Sequence, residues 1–240
     1  MNIRKSVWYI AALISFAFGF NACEKDSKGL TKVTYYADIQ LEGSSYMVVN
    51  KNAEYIDPGY TAVMEGKDVT DQVTVTGEVD TSTSGIYTVI YSIVNADGFS
   101  TTVSRTVVVV DLSDPIEGIW NVDPSSYRIY DSGSPQPYGG AFQLLILNNG
   151  DGTYYVEDLM AGWYSQRAGY GSDYNMEAVV TISGDGGITL EDSYVAGWGD
   201  SADAFENGQF DADGKSISYT LFYAGVIEFH VTLNKEELQL

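Results

Sequence analysis

The chain reads as an all-β protein. Apolar and polar residues alternate with period 2 along most of it, while helical stripes of 3.6-residue spacing are hard to find. Tyr, Val, Thr and Ile dominate the runs and Gly/Asn/Asp clusters punctuate them, as expected of pleated, half-buried strands joined by tight turns. The 240 residues exceed one average domain of roughly 100–150 residues and suggest two. Charged residues make up 19% and hydrophobic ones 45%, which describes a folded chain and not a disordered acidic tail.

The first element is a leader over residues 1–22. Arg4 and Lys5 give a positive start, Val7 to Phe20 form an apolar run, and Phe20-Asn21-Ala22-Cys23 ends it. Those three regions in that order make a secretory signal, too short for a membrane-spanning helix. Cys23 is the sole cysteine and has no disulfide partner, which leaves its thiol for lipid. The segment resembles a bacterial lipoprotein signal, which implies cleavage before Cys23, lipidation of Cys23, and anchorage to the outer membrane. An ordinary signal peptide with a coincidental cysteine is the competing reading. Residues 23–32 then form a tether. Its Glu24-Lys25-Asp26-Ser27-Lys28-Gly29 is similar to the surface-export signal of Bacteroidetes lipoproteins, which implies the extracellular face; a plain hydrophilic spacer competes.

Charge sets the next bound. Removing residues 1–22 takes away two bases and moves the formal charge from −21 to −23. Residues 24–114 carry 14 acids and 6 bases, a net −8, and residues 115–240 carry 19 acids and 4 bases, a net −15. Such a field repels nucleic acid and anionic lipid and suits neutral partners or cations.

Residues 33–114 form the first folded domain. Tyr87, Val89, Tyr91 and Ile93 alternate with Thr88, Ile90, Ser92 and Val94. Asn95-Ala96-Asp97-Gly98 turns the chain, and Phe99 to Val110 runs back. Val107 to Val110 lacks alternation, so both faces are expected to be covered. Asp57, Asp68, Asp71 and Asp97 show no oxygen-ligand spacing and are read as turn and edge residues. Ser84-Gly85-Ile86-Tyr87-Thr88-Val89-Ile90-Tyr91, Asp97-Gly98, Arg105-Thr106-Val107 and the earlier Tyr55-Ile56-Asp57-Pro58-Gly59-Tyr60-Thr61-Ala62 resemble bacterial Ig-like surface modules. The resemblance implies a β-sandwich without an intersheet disulfide, a spacer role, and a tyrosine corner at Tyr87.

Asp111-Leu112-Ser113-Asp114-Pro115 is a short polar linker, and residues 115–240 form the second domain. Strands are expected over 142–147, 153–159, 176–182, 216–223 and 226–233, enough for an antiparallel barrel or sandwich. The opening Gly118-Ile119-Trp120 looks lipocalin-like. Such a barrel either holds one small ligand or is filled by its own side chains.

Catalytic chemistry is easier to exclude than to find. His230 is the sole histidine and lies on the face opposite Ile227, Phe229 and Val231, where a surface role fits better than a base or ligand. No Ser-His-Asp or Cys-His set can be built around it, and no zinc cluster, phosphate loop or dinucleotide fingerprint is present. Asn148-Asn149-Gly150-Asp151-Gly152 and Asp211-Ala212-Asp213-Gly214 read as hairpin turns, not calcium loops. No catalytic residue, metal or cofactor is expected, although a carboxylate pair for glycoside hydrolysis needs only two acids.

Aromatic residues in glycine-rich segments stand out instead. Ala161-Gly162-Trp163-Tyr164 leads to Tyr170 and Tyr174, and Ala196-Gly197-Trp198 repeats the Ala-Gly-Trp triplet. Trp163, Tyr164, Tyr170, Tyr174 and Trp198 are expected to form one platform that stacks on a neutral oligosaccharide. The equal alternative is that Trp163 and Trp198 plug the barrel or close its mouth. Taken whole, the chain resembles two-domain outer-membrane lipoproteins of gut Bacteroidetes. That resemblance implies a non-catalytic glycan-binding accessory of a starch-utilisation-type uptake system, working beside a TonB-dependent transporter. A structural or adhesive surface component and a hydrolase are the alternatives.

Overall fold

The computed structural model describes residues 33–213 and 215–237. The leader 1–22, Cys23 and the tether 23–32 lie outside the described residues. Strand dominates, and among the described residues helix is confined to three short turns.

The first domain is a sandwich of seven strands. They are β1 (Asp38–Leu41), β2 (Tyr46–Asn50), β3 (Tyr60–Met64), β4 (Lys67–Asp68), β5 (Thr74–Thr76), β6 (Gly85–Val94) and β7 (Ser100–Val110). One sheet runs β1-β3-β4 and the other β2-β7-β6-β5, with β2 parallel to β7. β6 and β7 make the hairpin the alternation predicts, with Thr88 opposite Thr106 and Tyr91 opposite Val103. Asn95 closes its turn, the side-chain oxygen accepting from the amides of Asp97 and Phe99. Val89, Tyr91 and Ile93 point into a core shared with Ala37, Ile39, Ala62 and Val69. The Tyr87 hydroxyl donates to the Thr83 carbonyl at 2.8 Å, the upstream backbone bond that a tyrosine corner requires.

This core also holds a charge. Arg105 is fully buried and reaches Asp57 at 2.7 Å, with further bonds to the carbonyls of Glu42 and Gly59. Tyr91 and Tyr55 donate to the same carboxylate. Asp57 is therefore no mere turn residue, as its place before Pro58-Gly59 suggests, but the counter-ion of a buried guanidinium. The Gly59 amide, bonded to Asp57 Oδ1 at 2.8 Å, turns that carboxylate inward.

The second domain is a curled antiparallel sheet of ten strands. The first five are β8 (Gly118–Val122), β9 (Tyr127–Tyr130), β10 (Gln136–Pro137), β11 (Gln143–Asn148) and β12 (Thr153–Val156). The rest are β13 (Met176–Ile182), β14 (Ile188–Val195), β15 (Ala204–Asp211), β16 (Ser216–Tyr223) and β17 (Ile227–Lys235). The order β14-β13-β12-β11-β8-β17-β16-β15 curls into a half-barrel, and β17 divides its pairing between β8 and β9. Between β14 and β15 the described residues share one bridge, Gly187 with Gln209, so the barrel is open along that seam.

The interior is filled. Met176, Ala178 and Val180 of β13 meet Ile217, Tyr219 and Leu221 of β16 across the core. The cavity left among Ile146, Leu159, Phe205 and Tyr219 measures about 20 Å³, room for about one water molecule. Of the two readings of a lipocalin-like barrel, the side-chain-filled one holds. Trp120 of the Gly-Ile-Trp opening is fully buried, and its indole donates to the Ile116 carbonyl at 2.8 Å.

The linker is built into the junction. Val108 and Val110 pack on Ile119, Leu145 and Leu147, which explains the lost alternation of that run. Asp114 accepts from the amides of Ile116 and Glu117 and from Asn148 and Tyr154, and Glu117 accepts from the Asp111 amide. The β11–β12 hairpin thus faces the Ig-like domain. By antiparallel alternation, the loops after β12, β14 and β16 lie at the opposite end of the half-barrel.

The Arg105–Asp57 pair yields a pH prediction. Burial works to raise the Asp57 pKa, but the bonds from Tyr91, the Gly59 amide and Arg105 hold it below the ordinary value. The stability it contributes is present above the ordinary aspartate range and is lost as pH falls through the depressed pKa. Asp57→Asn should lower stability by about 1–2 kcal/mol at neutral pH, since Asp57 keeps one side in water. Melting curves of the two proteins should begin to converge as pH falls below about 4 and meet only below the depressed Asp57 pKa.

Candidate functional site

Two loops at the end of the half-barrel remote from the Ig-like domain carry the glycine-bordered aromatics. The first joins β12 to β13 and is organised by one buried acid. Asp158 Oδ1 accepts from the amides of Met160 and Met176, both at 2.9 Å. Its Oδ2 accepts from the Gly162 amide at 2.8 Å and the Ser165 hydroxyl at 3.2 Å. The loop is thereby pinned at both ends to a single carboxylate. Tyr219 and Tyr138 secure it further, donating to the carbonyls of Leu159 and Met160, each at 2.9 Å.

Backbone shape then follows from the Ala-Gly pair. Ala161 and Gly162 both have positive φ, and they lead into a π-helical turn over Trp163–Arg167. Such turns are frequent at functional sites. Gly197 in the second triplet serves a different purpose. A Cβ there would sit 2.7 Å from the Tyr174 ring, so glycine lets the two loops close on each other. The Gly197 amide bonds the Asp173 carbonyl at 2.7 Å.

Four of the five expected platform rings come together. Tyr164 lies 4.7 Å from Trp198 edge-on and 6.1 Å from Tyr170 in a stacked pair. Tyr174 contacts Trp198 at 4.9 Å and Tyr170 at 5.3 Å. Tyr170 is 56% exposed and Trp198 39%, with Tyr164 and Tyr174 partly buried between them. Tyr223 supports the floor beneath Trp198 at 6.0 Å and donates to Asp200.

Trp163 departs from the expectation. It is 2% exposed and packs edge-on to Tyr138 at 4.9 Å and Phe229 at 6.2 Å, closing the barrel from inside. The reversal of direction after Gly162 turns this ring inward and leaves Tyr164 at the surface. The two tryptophans therefore divide the two roles, Trp163 plugging the mouth and Trp198 lying above it.

Sequence reasoning missed two arginines. Arg167, on the π-helical turn, and Arg128, on β9, place their guanidinium groups 4.0 and 4.7 Å from the Trp163 ring centre. Arg128 also reaches the Tyr164 hydroxyl at 3.4 Å. Their signal in the sequence is slight: they are two of only four bases in residues 115–240. His230 lies apart from the cluster contacts, stacked on Tyr127 at 4.5 Å and 3.1 Å from Glu228. Among the described residues no group of three His, Cys, Asp or Glu is placed to hold a metal ion.

Comparison with known proteins bears on both domains. The model of the bacterial surface protein Ig-like domain matches residues 39–109. The model of a BT2262-like C-terminal domain matches residues 109–235. The crystal structure of the lipoprotein BT2262 from Bacteroides thetaiotaomicron is similar to the chain at 37% identity and a TM-score of 0.73. That match covers 83% of this chain and 100% of that one. A Clostridium perfringens ZmpB structure containing CBM51-2 and INT domains, in complex with GlcNAc, aligns at 15% identity over 83% of this chain and 43% of that one. Its TM-score of 0.26 is too low to carry an argument. No curated protein matches.

Burial separates the aromatic residues by experiment. Trp163→Ala should cost about 3–5 kcal/mol of folding stability, the usual cost of emptying a core aromatic site. Trp198→Ala should melt close to wild type. Asp158→Asn should destabilise by roughly 1–3 kcal/mol, because its amide group turns a donor toward backbone N–H groups that need an acceptor. Denaturant unfolding of the three variants checks all of these.

Proposed function

The chain belongs to the BT2262-like family, whose Bacteroides thetaiotaomicron member is a lipoprotein, and from that premise we propose that it is a glycan-binding accessory on the bacterial surface. The lipid on Cys23 anchors it to the outer face of the outer membrane. The Ig-like domain acts as a spacer, and the ring cluster of Tyr164, Tyr170, Tyr174 and Trp198 is the binding surface.

The observation that carries this reading is the exposed, preformed ring cluster at the end of the half-barrel away from the Ig-like domain. Flat rings with polar edges suit the faces and hydroxyls of a sugar. The filled interior supports the same reading, because a cavity of about 20 Å³ cannot admit even one sugar ring. A ligand of this domain has to bind on its surface. Spacing supports it too. The Asn95 side chain bonds the Tyr35 carbonyl, so the chain enters the sandwich at the β6–β7 turn and leaves it at the far end of β7. Eleven residues of β7 span roughly 35 Å, which lifts the second domain that far from the anchored end. A ligand-binding accessory of this kind delivers oligosaccharide to a TonB-dependent transporter in the same membrane.

A glycan array probed with the full mature chain tests the assignment. Tyr170→Ala and Trp198→Ala should each weaken binding to any positive glycan by about 1–3 kcal/mol, the size of a lost stacking contact. Their melting temperatures should stay near wild type. Normal glycan binding by both variants, or no positive glycan at all, would remove the aromatic surface from the account. Cys23→Ala tests the anchor separately: the variant should no longer fractionate with the outer membrane or label at the cell surface.

A further inference from the structure

Among the described residues Arg128 and Arg167 have no carboxylate partner, although their domain is strongly acidic. Of the four bases in residues 115–240, Lys215 pairs with Glu237 at 2.5 Å and Lys235 donates to the Asp114 carbonyl at 2.7 Å. The other two both stack on Trp163. Among the described residues no Asp or Glu comes within ion-pair distance of either arginine. Nor do the acids near the mouth cap them. Asp131, Asp203, Glu206 and Glu228 line a cleft whose walls include neither arginine.

Their donors are also underused. Arg128 makes two long contacts, 3.4 Å to the Tyr164 hydroxyl and 3.3 Å to Gln136, and its buried Nε has no hydrogen-bond partner among the described residues. Arg167 is exposed and bonds through Nε to the Tyr138 carbonyl at 2.9 Å. A guanidinium presents five N–H donors in a planar fork that matches a carboxylate. Here two such forks lie against one indole, and one of them touches the ring cluster through Tyr164.

We infer that Arg128 and Arg167 form a subsite for the carboxylate of an acidic sugar, a uronic or sialic acid, whose neighbouring sugars stack on the ring cluster. This rests on the glycan reading above and refines it. The net charge of −15 still disfavours a polyanion. A single carboxylate in an otherwise neutral chain is a different case, because charges beyond about 8 Å are screened at physiological ionic strength and the arginines are the near neighbours. The specificity becomes one acidic unit flanked by neutral ones.

The test uses the full mature chain and oligosaccharides that each carry one uronic or sialic acid, paired with the same compounds after reduction of the carboxyl to an alcohol. At least one acidic member should bind about tenfold or more tightly than its reduced partner, and added salt should narrow the gap. Arg128→Gln and Arg167→Gln should abolish the preference, and Arg167→Lys should restore part of it. Should the arginines merely clamp Trp163, the glutamine variants would melt early and the acidic and reduced compounds would bind alike. Equal binding of the pairs, with loss in Tyr170→Ala, overturns the carboxylate subsite and leaves the glycan reading standing. No binding by any compound of either set overturns both.

Discussion

The carboxylate of Asp158 is the constraint on which the distal end of this protein depends. A wholly buried acid is costly unless its oxygens are satisfied. Asp158 meets that demand with three backbone amides and one hydroxyl drawn from both ends of a single loop. Burial works to raise its pKa, and those donors pull the other way. The mutual dependence fixes the loop. The acid is tolerable because the loop closes on it, and the loop has one shape because the acid accepts all four bonds. Trp163 is then directed into the barrel, Tyr164 out of it, and Arg167 back across the indole.

That arrangement makes the mouth a lid with a set of aromatic rings gathered above it. Trp163 closes the hydrophobic interior; Tyr164 still packs against the core, edge-on to Phe229, while Tyr170 and Trp198 stay exposed above it. Tyr164, Tyr170, Tyr174 and Trp198 hold one another edge to face, and Gly197 lets the second loop approach closely enough to complete the set. A surface ordered before binding loses little side-chain entropy when a ligand arrives. At the other end of the barrel the linker is an integral joint. Val108 and Val110 belong to a core shared with the second domain, Asp114 accepts from Ile116 and Asn148 there, and the linker amide of Leu112 donates to Asn50 of the first domain. The orientation of the mouth relative to the first domain is thus set by packed side chains.

Much of the architecture was legible because strand periodicity is a local signal. The alternation of Tyr87, Val89, Tyr91 and Ile93 named the inward face of β6, and the unbroken valines of β7 showed that something covered the second face. Long-range pairings were not legible. Asp57 and Arg105 lie 48 residues apart, and nothing nearby marks Asp57 as a counter-ion and not a turn residue. The ring cluster could be guessed from composition, since Tyr and Trp beside glycine are unusual in loops. Which ring faces inward could not, because that is decided by the positive φ of Ala161 and Gly162 and by a carboxylate of the same loop. Arg128 was invisible for the same reason: a strand residue 35 positions before Trp163 meets it only through the fold.

Native-state hydrogen exchange at the amides of Met160, Gly162 and Met176 tests most directly whether Asp158 holds this loop as one rigid unit. If it does, all three amides exchange only through global unfolding, as slowly as the central strands β8 and β11. Exchange of the Met160 and Gly162 amides at the rate of an open loop, while those strands stay protected, would contradict it.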